Sequence, residues 1–318
     1  MPHFGILCPA TKGHLNPMTT LRWALQQRGH QVTLFGIPDA RSAAHSAGLE
    51  FRAIGESNFS SSRMARIFEE QGKLNGLEAI RYVVTWMKDL TATILREAPA
   101  AIQEAGVEAL LVDQVSPEGG SIADFLNIPY VSITNALMSY RENYIPPGNT
   151  SWNYSPAAWA KCRNFLGYIA LEKIVYPVIK EIVEYRRDRQ LPAYRSNKDL
   201  YSKLALISQQ ASAFEFPRHN LPQHIYFTGP LCSPQSRPSV DFPFEQLNGK
   251  PLIYASLGTF QNRLPSVFQD IAQACVGLDV QLVISLGSGI SAESMPDLPG
   301  CPIVAPYVPQ LSGAENFS

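Results

Sequence analysis

In its first half the chain alternates short apolar runs with longer stretches of helical period, the pattern of a parallel sheet flanked by helices. Strands are predicted over residues 4–9 ("FGILCP"), 31–37, 49–54, 109–113 and 130–134. A helix is predicted to start near Pro17, a residue suited to a first helical turn, and to stop at Gly29. A second, longer helix is predicted over residues 74–97, closed ahead of Pro99 because the position before a proline disfavours helical backbone.

Two stretches break this rhythm. Residues 135–156, "NALMSYRENYIPPGNTSWNYSP", read as a loop dense in aromatics and prolines. A long helix follows, with Phe165, Ile169, Val175, Val178 and Ile182 at helical spacing. That stripe reads as a core face, and the basic end "EYRRDRQLP" as a solvated terminus favouring the helix dipole. Residues 231–250 are rich in Pro and Ser and read as a linker. Beyond it the pattern starts again: a strand in "PLIYASLGT", a helix around residues 267–275, a strand in "VQLVIS" and another at 303–305. The expected organisation is a complete domain over 1–230, the linker 231–250, and a partial second α/β domain over 251–318.

Composition narrows the function classes. With 318 residues, 45% apolar and 17% charged, the chain suits a globular protein with a filled interior. A net charge of −1 argues against nucleic-acid binding, which needs a clustered basic surplus. No apolar run approaches a membrane span, and the start "MPHFGILCPA" lacks a basic leader, so a cytoplasmic location is expected. A peripheral contact with a membrane surface stays open. The five cysteines are scattered without a Cys-x-x-Cys pair, which fits reduced thiols and suggests no metal site.

Several reaction chemistries lack their residues. "GSGISA", residues 287–292, fits a dinucleotide-binding glycine pattern, but the prolines after it cannot open the required helix. No Asp-x-Asp, Gly-x-Ser-x-Gly or His-Glu-x-x-His occurs. Attention falls instead on "KGHLNP", where His14 follows the first strand and lies outside the carboxyl edge of the sheet. A neutral imidazole there suits proton abstraction from a hydroxyl, given a partner that fixes its tautomer. Asp113, closing the strand "ALLVD", emerges at the same edge. Taken singly, His14 is a surface or capping histidine and Asp113 a helix cap. Together they point to a dyad. In the second unit, Ser256-Leu257-Gly258-Thr259 forms a strand-to-helix turn whose amides suit an anionic phosphate. Tyr307-Val308-Pro309-Gln310 offers a ring to stack on a nucleobase and a side-chain amide to bond it.

"GHLNP", the Asp in "LLVD", "YASLGT" and "APYVPQ", in this order, resemble the nucleotide-diphosphate-sugar glycosyltransferases of the GT-B fold. Within that group the likeness is to the bacterial macrolide and zeaxanthin glucosyltransferase branch, over residues 4–310. The resemblance implies an inverting transfer of a hexose from a UDP-sugar, as co-substrate, to a hydroxyl of an apolar small molecule. His14 matches the base and Asp113 its supporting carboxylate. Ser256, Gly258 and Thr259 match the pyrophosphate turn. Tyr307 matches a position usually held by tryptophan that stacks on uracil, and Val308 and Gln310 match base and ribose contacts. Gly13, Trp86, Tyr140 and Trp152, with Tyr144 and Tyr154, are expected to wall the apolar acceptor, the alternative being that the aromatics simply pack the interdomain face. The chain stops at "SGAENFS", ahead of the family's Thr-His-x-Gly and Asp-Gln motifs, so the donor half is expected to lack those contacts. The other readings are a non-catalytic acceptor-binding module or inactive fragment, and a nucleotide-sugar epimerase on the same fold.

Overall fold

A computed structural model describes residues 1–236, 240–258, 264–287 and 295–309. The chain divides into two compact units, Met1–Ile67 with Asn75–Cys232 and Phe68–Leu74 with Ser233–Ser318.

The first unit is built on parallel strands β1 (His3–Leu7), β2 (Gln31–Gly36), β3 (Glu50–Ala53), β4 (Ala109–Asp113), β5 (Tyr130–Thr134), β6 (Leu206–Ser208) and β7 (Ile225–Phe227). Their spatial order is β3-β2-β1-β4-β5-β6-β7. The helices that lie between these strands in sequence are α1 (Lys12–Gln27), α2 (Arg41–Ser46), α3 (Ser61–Lys73), α4 (Gly76–Glu104), α5 (Gly119–Leu126) and α6 (Ala158–Asp188).

Helices cover both faces, so the central strands read as continuous apolar runs. Successive side chains still alternate between the faces. Leu110 and Val112 of β4 pack with Ile102, Ile122 and Ile182 under α4, α5 and α6. Leu111 packs on the other face with Ile6, Leu15 and Met18 beneath α1. Asp113, two residues after Leu111, shares that face and therefore points towards α1. Fully burying a Leu or Ile side chain contributes about 1.5–3 kcal/mol, so these two clusters hold the strand end firmly.

The strands predicted at 109–113 and 130–134 have the observed bounds, whereas the first three end one or two residues earlier than expected. The helices depart further. α1 begins at Lys12, so Pro17 lies inside it, where it has no N–H to return to the Gly13 carbonyl. α4 runs through Pro99 to Glu104, since Leu95, Ala98 and Ile102 are buried on either side of the proline and packing outweighs the lost bond. In α6 the core stripe holds only at Val178 and Ile182, while Phe165 is 45% exposed. At its basic end Arg187 is solvated, but Arg186 is buried against Asp124 at 2.7 Å.

The second unit contains β8 (Leu252–Ser256), α7 (Pro265–Cys275), β9 (Gln281–Ser285) and β10 (Ile303–Ala305). The strands are parallel in the order β10-β9-β8. Phe268 and Ala272 of α7 pack on Leu282 and Ile284 of β9. Phe242, from the Pro- and Ser-rich segment, is buried against Val283, Ala305 and Val308.

Candidate active site

The strand order reverses between β1 and β4, which pair directly with Leu7 opposite Val112. Loops leaving two such strands diverge and open a crevice at their carboxyl ends, where open α/β sheets take ligands. β1 delivers the chain through residues 8–11 into α1, and His14 lies in its first turn with its N–H donating to the Thr11 carbonyl at 3.0 Å. β4 delivers Asp113 as its last residue.

His14 Nδ1 lies 2.7 Å from Asp113 Oδ2. The carboxylate is fully buried, while the imidazole keeps 21% of its side chain exposed. Because a carboxylate only accepts, the bond assigns the proton to Nδ1 and leaves Nε2 as the basic nitrogen. Asp113 Oδ1 accepts the Val115 N–H at 2.9 Å, an Asx-type turn, so Asp113 does not cap α5. Glu118 stands at that N-cap position.

Sequence reasoning did not single out Asn135, the residue after β5. Its Nδ2 donates to Asp113 Oδ2 at 2.6 Å and reaches the His14 carbonyl at 3.4 Å. The Asn135 carbonyl in turn accepts from Gln209 Nε2 at 2.6 Å. Its one available signal is place, since it follows β5 as the 8–14 segment follows β1.

Two further buried groups feel the same carboxylate. Burial, then the negative charge of Asp113, pushes the Cys8 thiol up. Glu118 is pushed up to about 7, mainly by burial, with the Asp113 charge adding to it. Its own backbone amide and the Thr91 hydroxyl, which donates to Oε2 at 3.5 Å, pull the other way.

Of the expected acceptor residues, Tyr144 and Tyr154 both meet His219, the Tyr144 ring at 5.5 Å between centroids and the Tyr154 hydroxyl at 3.5 Å from Nε2. A Cβ on exposed Gly13 would meet nothing within 4 Å, so the approach beside His14 is open. Trp86 is half-buried on α4. Tyr140 is buried with Met138, Tyr201 and Leu206. Trp152 lies against Gly167 of α6 with the Arg163 guanidinium 4.8 Å over its ring. Two surface cavities of 770 Å³ and 920 Å³ flank α6, and neither is lined by His14 or Asp113. Among the described residues, no group of three or more His, Cys, Asp or Glu could hold a metal ion, and no helix is long and apolar enough to cross a membrane.

In the second unit β8 ends at exposed Ser256, whose Oγ accepts the Gly258 N–H at 3.2 Å. Gly258 has φ of +77°, a left-handed conformation that glycine adopts without a Cβ penalty. Tyr307 is half-buried after β10, and Val308 is 1% exposed, its side chain given over to the core. Thr259, Gln310 and residues 288–292 of the glycine pattern lie outside the described residues.

No protein-family model matches the chain. It is 29% identical over 302 residues to a zeaxanthin glucosyltransferase of Pseudescherichia vulneris, covering 95% of this chain and 70% of that one. It is 28% identical over 289 residues to the zeaxanthin glucosyltransferase of Pantoea ananas, covering 90% and 66%. The chain thus spans about two-thirds of the length of these relatives. Among solved structures, the glycotransferase of kitacinnamycin superposes with a TM-score of 0.69 at 18% identity, over 99% of this chain and 74% of that one. The glycosyltransferase VinC, solved with DTDP, superposes at 0.59 and 15% identity, over 97% and 72%. By fold this chain matches the GT-B glycosyltransferases, and by sequence along most of its length it is similar to the zeaxanthin glucosyltransferases.

Proposed function

We propose that this chain carries out inverting transfer of a hexose from a UDP-sugar to a hydroxyl of an apolar small molecule. The observation that supports this reading is the 2.7 Å bond between a partly exposed imidazole and a fully buried carboxylate at the reversal of strand order. The acceptor hydroxyl gives its proton to His14 Nε2 as its oxygen attacks the anomeric carbon from the face opposite the phosphate. The new C–O bond forms as the bond to the β-phosphate oxygen breaks, and UDP leaves with the electron pair. Asp113 holds the ring orientation and stabilises the imidazolium that forms.

The donor side of the reading rests on the Ser256–Gly258 turn for the diphosphate and on Tyr307 for the base. Because the Val308 side chain is in the core, only its backbone is available to a base. The DTDP bound to VinC motivates a nucleotide donor here and makes a thymidine nucleotide the competitor to test against UDP.

The test is an assay of glycoside formation and UDP release with UDP-glucose and a panel of hydroxylated carotenoids, polyketides and sterols. Turnover is expected, falling about 10² to 10⁴-fold in His14→Ala, the usual worth of a general base. Asp113→Asn should lower turnover while leaving acceptor affinity near that of the parent. Full turnover in His14→Ala overturns the proposal. Acceptor binding with no UDP release would instead support a binding module without transfer.

A further inference from the structure

The two halves of α6 are built differently. Its second half mixes Glu172, Glu181, Glu184 and Asp188 with Lys173, Lys180 and three arginines up to Arg189, just past its end. Its first half, residues 158–171, carries Lys161 and Arg163 and no acid. The acid-free stretch reaches back to residue 143, through the part of the aromatic segment that follows Glu142.

The first half also inverts the usual burial. Asn164 is fully buried, donating to the Asn143 carbonyl at 3.2 Å, beside fully buried Ala160. Facing out are Trp159 at 62% exposure, Leu166 at 59% and Phe165 at 45%, with exposed Cys162 and Ala170. Trp159, Cys162, Leu166 and Ala170 recur at three- and four-residue spacing and so form one stripe on one side of the helix.

Two cations flank this apolar arc, Arg163 beside Trp159 and Lys161 one turn before Phe165. The Arg163 guanidinium lies 4.8 Å over the Trp152 ring and 5.1 Å over Trp159. Lys161 Nζ lies 4.0 Å over the Tyr144 ring and donates to its hydroxyl at 2.9 Å. An aliphatic and aromatic stripe with cations held at ring level is the surface an interfacial helix offers to a bilayer, and the nearest acid along the helix, Glu172, is paired with Arg141, whose guanidinium lies 5.6 Å over the Phe165 ring. The rings and Leu166 would enter the boundary between headgroups and acyl chains, and the cations would meet lipid phosphates. The net charge of the whole chain is −1, so this attraction is local and acts within a Debye length of the surface.

We propose that the first half of α6, through Trp159, Leu166 and Phe165 flanked by Lys161 and Arg163, docks the protein on an anionic lipid surface. The docking does not depend on the transfer reaction, although an apolar acceptor dissolved in that surface would be delivered to the same unit that carries His14.

The test is flotation of the chain with phosphatidylcholine vesicles, with and without about one-third phosphatidylglycerol. Two cations near the surface are expected to favour the anionic vesicles roughly thirtyfold, and rising salt should erase that preference. Leu166→Glu, at an exposed position, should abolish flotation while leaving the melting temperature unchanged. Lys161→Glu with Arg163→Glu should reduce binding to the neutral-vesicle level; circular dichroism verifies that this variant is folded, and the salt series reads the same charge dependence without it. His14→Ala should float as the parent does, which separates a failure of docking from a failure of the transfer chemistry. Equal flotation of parent and Leu166→Glu, or no flotation of the parent, overturns the proposal. So does a Leu166→Glu variant that changes acceptor use but not vesicle binding, which would make the stripe a wall of the acceptor site.

Discussion

Asp113 is fully buried, and its oxygens meet donors from three segments: the His14 ring, the Asn135 amide and the Val115 N–H. Asn135→Ala removes one of them and leaves the Gln209 bond, which goes to backbone, in place. The expected result is a loss of about 1–3 kcal/mol in stability. Transfer should fall through turnover rather than acceptor KM, read from steady-state kinetics and denaturant titration of the same variant. Glu118 behaves differently. A carboxyl whose folded pKa lies above its unfolded value binds its proton more tightly when folded. The stability this gives is present below about 4.5 and is lost as pH rises through about 7. Glu118→Gln keeps the shape and cannot ionise, so its melting temperature should exceed the parent's at pH 8 by the equivalent of roughly 3 kcal/mol and should match it at pH 4. Of these residues the sequence exposes His14 and Asp113, because each closes or follows an apolar strand at one edge. Asn135 and Glu118 sit in polar stretches whose folded neighbours no local pattern reveals.

At the scale of elements, the strands were readable because β4 and β5 are apolar runs bounded by turn residues. Helix bounds were not, since Pro17 and Pro99 lie within helices that tertiary packing holds together. The α6 stripe failed for a related reason: periodicity marks an apolar side without saying what covers it. Close packing sets one firm limit. α5 begins at Gly119, where an added Cβ would lie 2.5 Å and 2.9 Å from the two methyls of Val112, the residue before Asp113. Alanine improves intrinsic helix propensity by about 1 kcal/mol. Here the clash should win, and Gly119→Ala is expected to lower stability by about 1–3 kcal/mol in thermal melts. A melting temperature at or above the parent's would mean that Val112 turns aside without cost.

Across the whole molecule, the doubly wound arrangement was legible in the alternation of strand-like and helical stretches. The pairing of β1 with β4 was not, because strand order leaves no mark on local sequence. That pairing has a consequence for the time course of folding. β1 and β2 are joined by one helix, so their pairing closes a short loop. His14 and Asp113 are 99 residues apart in sequence, and β1 meets β4 only after the intervening strands and helices are gathered in. Loop-closure entropy rises with length, and long-range parallel pairing is slow. In pulse-labelled hydrogen exchange during refolding, amides bonded between β1 and β2 should gain protection before those bonded between β1 and β4. Simultaneous protection would show that the sheet closes in one step. In the expected order, the histidine and its carboxylate meet late, and a newly made chain acquires this hydrogen-bonded pair only once β1 and β4 have come together.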